Sequence, residues 1–165
     1  MNINDFEIMA PVGSRESLAA AIQAGADSIY FGIEKLNMRA GSASAFTIDD
    51  LRQIAQICRD NGIKSYLTVN TIIYGEDIPL MHQIVDAARQ AGITAIIASD
   101  VAVMQYCKAP LNHPQGGKSE IQVSSHSSNY SEGGKVEVHL STQLNISNVE
   151  ALRFYAQFAD VVVLA

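Results

Sequence analysis

The sequence predicts an α/β fold built as a parallel array of alternating strands and helices, and three observations predict it. First, three helix-to-strand turns repeat one pattern: Ala24-Gly25-Ala26-Asp27, Asn61-Gly62-Ile63-Lys64 and Ala91-Gly92-Ile93-Thr94. In each, an apolar-periodic helix runs into a glycine that supplies the left-handed backbone other residues resist. Second, every such turn leads into a strand-like run, for instance Ser28-Ile29-Tyr30-Phe31-Gly32 or Thr94-Ala95-Ile96-Ile97-Ala98. Strands separated by helices require parallel crossovers rather than hairpins. Third, the strand-to-helix loops are long where the helix-to-strand turns are tight, and such arrays place their chemistry on the strand-to-helix side. The expected architecture is TIM-barrel-like, with an open doubly wound sheet as the alternative.

The elements follow in order. The first strand is expected over 6–10, and Ser14 is placed to cap a helix whose buried face is Leu18, Ala21 and Ile22. A second strand over 28–32 is followed by a long loop to Thr47. There Thr47 and Asp50 fit the cap and third-position pattern, and Phe46 is placed to staple onto Leu51. Leu51, Ile54, Ala55 and Cys58 then share one helical face. The third strand, over 64–70, is rich in β-formers. A loop containing Gly75 and Pro79 leads to a helix with Ile78, Met81, Ile84, Val85 and Ala88 inward. The fourth strand covers 94–98, and Asp100 caps a short helix. The fifth strand covers 136–141, and Ser147 with Glu150 reads as a capping box for a helix to about residue 158. The sixth strand is the apolar run at 161–165.

Parallel strands want cover on both faces, and a complete eight-fold barrel usually needs about 250 residues. The expectation is therefore that residues 1–165 are the N-terminal part of a β/α-barrel domain, cut before closure. Cut edges without charge or proline predict self-association of the isolated chain. Residues 108–135 break the pattern, with Pro110, Pro114, two Gly-Gly pairs and a serine-rich centre. They read as a flexible insertion.

Composition narrows the classes. A hydrophobic fraction of 48% reads as globular, and no apolar run is long enough to span a bilayer. No membrane association is expected. The N-terminus lacks the basic start and apolar stretch of a signal peptide, so a cytoplasmic location is the default. The net charge of −6 and the lack of a basic cluster argue against electrostatic gripping of nucleic acid by this segment. Cys58 and Cys107 both fall in helical patterns, and neither a disulfide framework nor a metal site is expected.

No nucleophile elbow, zinc-protease helix or P-loop occurs, so the catalytic residues stay unassigned. Pro11-Val12-Gly13-Ser14 offers backbone amides to an anion, although tight-turn geometry accounts for the same residues. The substrate-binding candidates lie after strands. Asn37 and Arg39 stand in the loop after the second strand, where an arginine is placed to pair with a carboxylate or phosphate, or simply with solvent. Thr68 and Asn70 end the third strand, facing a pocket or satisfying the loop backbone. Asp100 reads as a helix cap. His139, Ser141, Gln143 and Asn145 follow the fifth strand, and uncharged polar groups there suggest a binding surface. A closed barrel would bring Arg39, Asn70 and Gln143 to one rim.

Six ordered motifs carry a resemblance. Ile8-Met9-Ala10-Pro11-Val12-Gly13-Ser14, Ala24-Gly25-Ala26-Asp27, Tyr30-Phe31-Gly32, Asn37-Met38-Arg39-Ala40, Thr68-Val69-Asn70-Thr71 and Ser141-Thr142-Gln143-Leu144-Asn145 resemble the bacterial collagenase-like peptidases, peptidase family U32. The resemblance covers nearly everything except the insertion, which relatives replace with a shorter connection. It implies a barrel-type β/α fold with further C-terminal parts, and peptidase activity towards collagen-like substrates. For other members it implies oxygen-independent hydroxylation of RNA bases or quinone precursors, with cysteine-bound iron–sulfur centres. The cysteine motif of those members lies downstream of this region, and neither Cys58 nor Cys107 matches it. The resemblance thus implies no cofactor in this segment, an iron–sulfur cluster in the downstream part, and a peptide or RNA substrate for the full-length protein. A non-catalytic scaffold is the remaining reading.

Overall fold

The computed structural model describes residues 6–38, 46–109 and 135–164. Six strands form one parallel sheet in the order β1-β2-β3-β4-β5-β6. They are β1 (Met9–Pro11), β2 (Ser28–Gly32), β3 (Lys64–Val69), β4 (Ala95–Ala98), β5 (Glu137–Leu140) and β6 (Val161–Val162). Between them lie α1 (Arg15–Gln23), α2 (Asp50–Asp60), α3 (Ile78–Ala91), α4 (Val101–Lys108) and α5 (Val149–Tyr155). An order that never reverses has no topological switch point, which excludes the doubly wound alternative. With right-handed crossovers it sets every helix on one face of the sheet, as in a barrel wall. The molecule is a half-barrel.

The helix-facing residues of the strands make the core. Ile29 and Phe31 of β2, Leu67 of β3, Ile96 of β4 and Leu140 of β5 are fully buried. They meet Leu18 of α1, Leu51 and Ile54 of α2, Met81 and Ile84 of α3 and Met104 of α4 in one cluster. Gly25, Gly62 and Gly92 have φ of 77°, 66° and 76°, the left-handed turns expected after α1, α2 and α3. No helix among the described residues is long and apolar enough to cross a membrane.

Several boundaries differ from the sequence reading, each for a physical reason. β1 begins at Met9 because Met9 pairs with Ser28, the first residue of β2. Before it, Ile8 bonds instead to the backbone and carboxylate of Asp27. β6 stops at Val162 because β5 ends at Leu140, its partner, and Ser141 turns into a 3-10 turn over Thr142–Leu144. Asn148, not Ser147, caps α5, its side chain accepting from the Ala151 amide at 2.9 Å. α2 starts at Asp50, where the expected cap runs in reverse: the Asp50 carboxylate accepts both the Thr47 amide and its hydroxyl at 2.9 Å. The segment read as an insertion falls almost wholly outside the described residues.

Candidate substrate-binding face

Strand alternation turns the remaining side chains towards the concave, helix-free face, and register stacks them in levels. Ser28 pairs with Lys64. One step up, Tyr30, Tyr66, Ala95 and Glu137 lie side by side. Above them come Gly32, Thr68, Ile97, His139 and Val161. Asn70 and Ser141 continue those strands to the rim.

The lower levels hold a charged network. Lys64 Nζ and Tyr66 Oη donate to the two carboxylate oxygens of Glu7, each at 2.6 Å. Partial burial raises the Glu7 pKa, but the bonds from Lys64 and Tyr66 outweigh it and bring the carboxyl down to about 2. Burial, with the Glu7 hydrogen bond and charge, pushes the Tyr66 phenol far above its ordinary value. The Tyr66 ring lies 4.9 Å from the His139 imidazole. The two meet across β4 because the intervening residue at the Tyr66 level is the small Ala95. His139 Nε2 lies 3.1 Å from the Glu137 carboxylate.

At the rim the candidates divide. Asn37 is buried, and its amide donates to the carbonyls of Ile33 at 2.9 Å and Glu34 at 3.1 Å. Its side chain occupies the space above Gly32, where an added Cβ would lie 2.3 Å from Asn37 Cγ. That contact explains the glycine in Tyr30-Phe31-Gly32 and makes Asn37 a shaper of its own loop. Asn70 Oδ1 accepts from the Met38 amide at 3.3 Å, tying the loops after β2 and β3 together. Ser141, also buried, accepts from the Gln143 amide at 3.4 Å and starts the 3-10 turn. That turn ends at Asn145 in the left-handed region, φ 51°. Gln143 and Asn145 are exposed. Arg39 lies outside the described residues, so its convergence with Asn70 and Gln143 is not addressed by the fold. Thr68 donates to the Phe31 carbonyl and is a structural residue.

Further bonds brace the rim. Lys35 pairs with Asp77 at 3.2 Å. Asp100 caps α4 through the Ala102 amide at 2.8 Å and also accepts from the Ile73 amide at 3.1 Å, joining the β3 and β4 loops. The amides of Gly13 and Ser14 are satisfied by the Ser17 hydroxyl, which leaves that turn unsuited to an anion.

Both cysteines sit on the helix side. Burial pushes the Cys58 thiol up to about 11 and the Cys107 thiol to about 12, against nucleophilic use. No group of three or more His, Cys, Asp or Glu side chains that could hold a metal ion converges among the described residues. A surface groove between the start of α2 and α3 is lined by Ile48, Asp49, Leu51, Arg52, Ala87 and Gln90.

The sequence reading missed Glu7, Lys64, Tyr66 and Glu137. The signal was present in the polar alternation Lys64-Tyr66-Thr68-Asn70 and Glu137-His139-Ser141. Fully buried parallel strands do not show that pattern.

Comparison with known proteins shows the family and the fold. A model of Peptidase family U32 matches residues 13–131. The chain is 64% identical over 165 residues to a collagenase of Porphyromonas gingivalis (strain W83), covering 100% of this chain and 34% of that protein. It is 29% identical over 162 residues to tRNA hydroxylation protein P1 of Bacillus subtilis (strain 168), covering 96% of this chain and 32% of that protein. The chain thus spans about a third of the length of these curated relatives. The solved structure of the U32 peptidase Mk0906 superposes with a TM-score of 0.61 at 12% identity, over 96% of this chain and 57% of that one, a likeness of fold. The chain belongs to peptidase family U32.

Proposed function

We propose that the full-length protein containing this chain hydrolyses peptide bonds in collagen-type substrates, and that this segment supplies the inner wall and rim on which the peptide lies. The observation that carries the reading is the 64% identity to a collagenase, sustained along the whole chain. The chemistry of the rim supports it. Gln143 and Asn145 are exposed amides beside the end of β5, and amides pair with both the N–H and C=O of an extended peptide. Asn70 stands across β4 from them, and Arg39 would add a cation for a substrate carboxylate.

The experiment is to incubate the full-length protein with gelatin and to sequence the new N-termini by mass spectrometry. New termini in proportion to enzyme, reduced at least several-fold in Gln143→Ala, are expected. A second reading, hydroxylation of an RNA base, is favoured by the 29% identity to a tRNA hydroxylation protein. Against it stands the net charge of −6, which disfavours a phosphate grip by this segment. A lack of new termini, together with loss of a hydroxylated nucleoside from tRNA when the gene is deleted, would replace the first reading by the second.

A further inference from the structure

His139 is the one imidazole on the concave face among the described residues, and its surroundings are those of a poised base. It sits one alternation step below Ser141, so it lies directly under the rim rather than at the barrel floor. Its side chain is 12% exposed in this half-barrel. The Glu137 carboxylate, 3.1 Å from Nε2, can only accept, so the proton resides on Nε2. Nδ1 is then a basic lone pair with no hydrogen-bond partner among the described residues. The ring is fixed from β3 by Tyr66 at 4.9 Å, itself anchored through Glu7 and Lys64. From β4 the neighbouring side chain at its level is Ile97, and from β6 Val161, neither of them charged. A carboxylate holding one ring nitrogen while the other is left without a partner is the arrangement by which proteins orient a catalytic imidazole.

We infer that His139 is the proton-transferring residue of the concave face, with Glu137 as its positioning residue; this rests on the peptidase reading above. As a water oxygen bonds to the scissile carbonyl carbon, Nδ1 takes the water proton. As the carbon–nitrogen bond breaks, the imidazolium returns that proton to the leaving amine. Water and peptide are consumed, and a carboxylic acid and an amine are formed.

The test uses the full-length protein and a collagen-type peptide, with kcat and KM followed from about pH 5 to pH 9. His139→Gln is expected to lower kcat at least about 100-fold with KM changed less than about three-fold, and to abolish the acid limb of the kcat profile. Glu137→Gln is expected to lower kcat about ten-fold with KM changed less than about three-fold, since the ring loses the partner that orients it. His82→Gln, far from this face and stacked on Tyr106, is the control with unchanged kcat. Should His139→Gln fail to fold by circular dichroism, carbethoxylation of the wild-type protein replaces it. Cleavage then falls in step with modification of His139 and returns with hydroxylamine. Wild-type cleavage that survives the substitution or the modification, with its acid limb intact, overturns the inference and leaves the peptidase reading standing. A wild-type protein that cleaves nothing overturns both.

Discussion

The guanidinium of Arg89 is the most consequential buried charge among the described residues, and its removal has a calculable cost. Arg89 lies on α3 with its side chain 5% exposed. Its Nη2 donates to the carbonyls of Tyr106 and Ala109 at 2.9 Å and also to that of Cys107. These carbonyls belong to the end of α4, where intrahelical donors run out. The carbonyls of Cys107 and Ala109 have no other donor among the described residues, so Arg89→Met orphans one buried and one half-buried acceptor. At about 1–3 kcal/mol each the loss is about 2–6 kcal/mol. The buried cation's own desolvation cost disappears with it and offsets part of the loss, so the net cost lies in the lower half of that range, about 3 kcal/mol. Asp86 Oδ1, 4.0 Å away, is buried with no hydrogen-bond partner among the described residues, so loss of the cation leaves it uncompensated and adds to the cost. For a chain of this size the melting temperature should fall by about 6–12 °C. Arg89→Lys should recover only part of the loss, because one ammonium cannot replace a planar fork. Urea unfolding followed by circular dichroism measures both variants. An Arg89→Met chain within about 0.5 kcal/mol of the wild type would refute the reasoning.

Four further outcomes are expected. Gly32→Ala should destabilise by about 1–3 kcal/mol through the clash with Asn37, and much of that cost should vanish in the Asn37→Ala background, a coupling read by a double-mutant cycle. Because the Glu7 pKa is depressed from 4.5 to about 2, its stabilisation is complete above the unfolded value and is lost as pH falls through about 2. Glu7→Gln should therefore flatten the acid limb of stability, and an unchanged limb in urea titrations at several pH values would contradict this. Cys58 and Cys107 should resist iodoacetamide at about pH 8 in the native chain and react after unfolding, as followed by mass spectrometry. The 165-residue chain by itself should self-associate in light scattering, since β1 and β6 each have one strand neighbour among the described residues and Val163 and Leu164 are exposed.

The strands and helices were legible because local chemistry and tertiary fate agree in them. Gly25, Gly62 and Gly92 mark left-handed turns, and Leu51, Ile54, Ala55 and Cys58 fall on one face and are all buried. Strand ends were less legible, because Ile8 and Val163 look as strand-like as their neighbours. Only register decides that Met9 and Val162 are the last to find partners. Caps failed where two candidates adjoin, as Ser147 and Asn148 do. Within the site, the position of Asn70 and of the residues after β5 at the strand ends was readable from order alone. The inward role of Asn37 was not, since it depends on the missing Cβ of Gly32. Nor was the Glu7–Lys64–Tyr66 network, which joins residues 57 and 59 positions apart. Arg89 was hidden for a similar reason: nothing local announces that α4 will end beside it.

The concave face and its rim as the seat of a peptide can be tested most directly by photo-crosslinking. A collagen-type peptide carrying a photoreactive residue is bound to the full-length protein, irradiated, and its attachment sites within this segment mapped by mass spectrometry. Attachments are expected in the loop after β3 around Asn70 and after β5 from His139 to Asn145, with competition by unlabelled peptide. Attachments confined to the groove between α2 and α3, at Arg52 or Gln90, would contradict that placement.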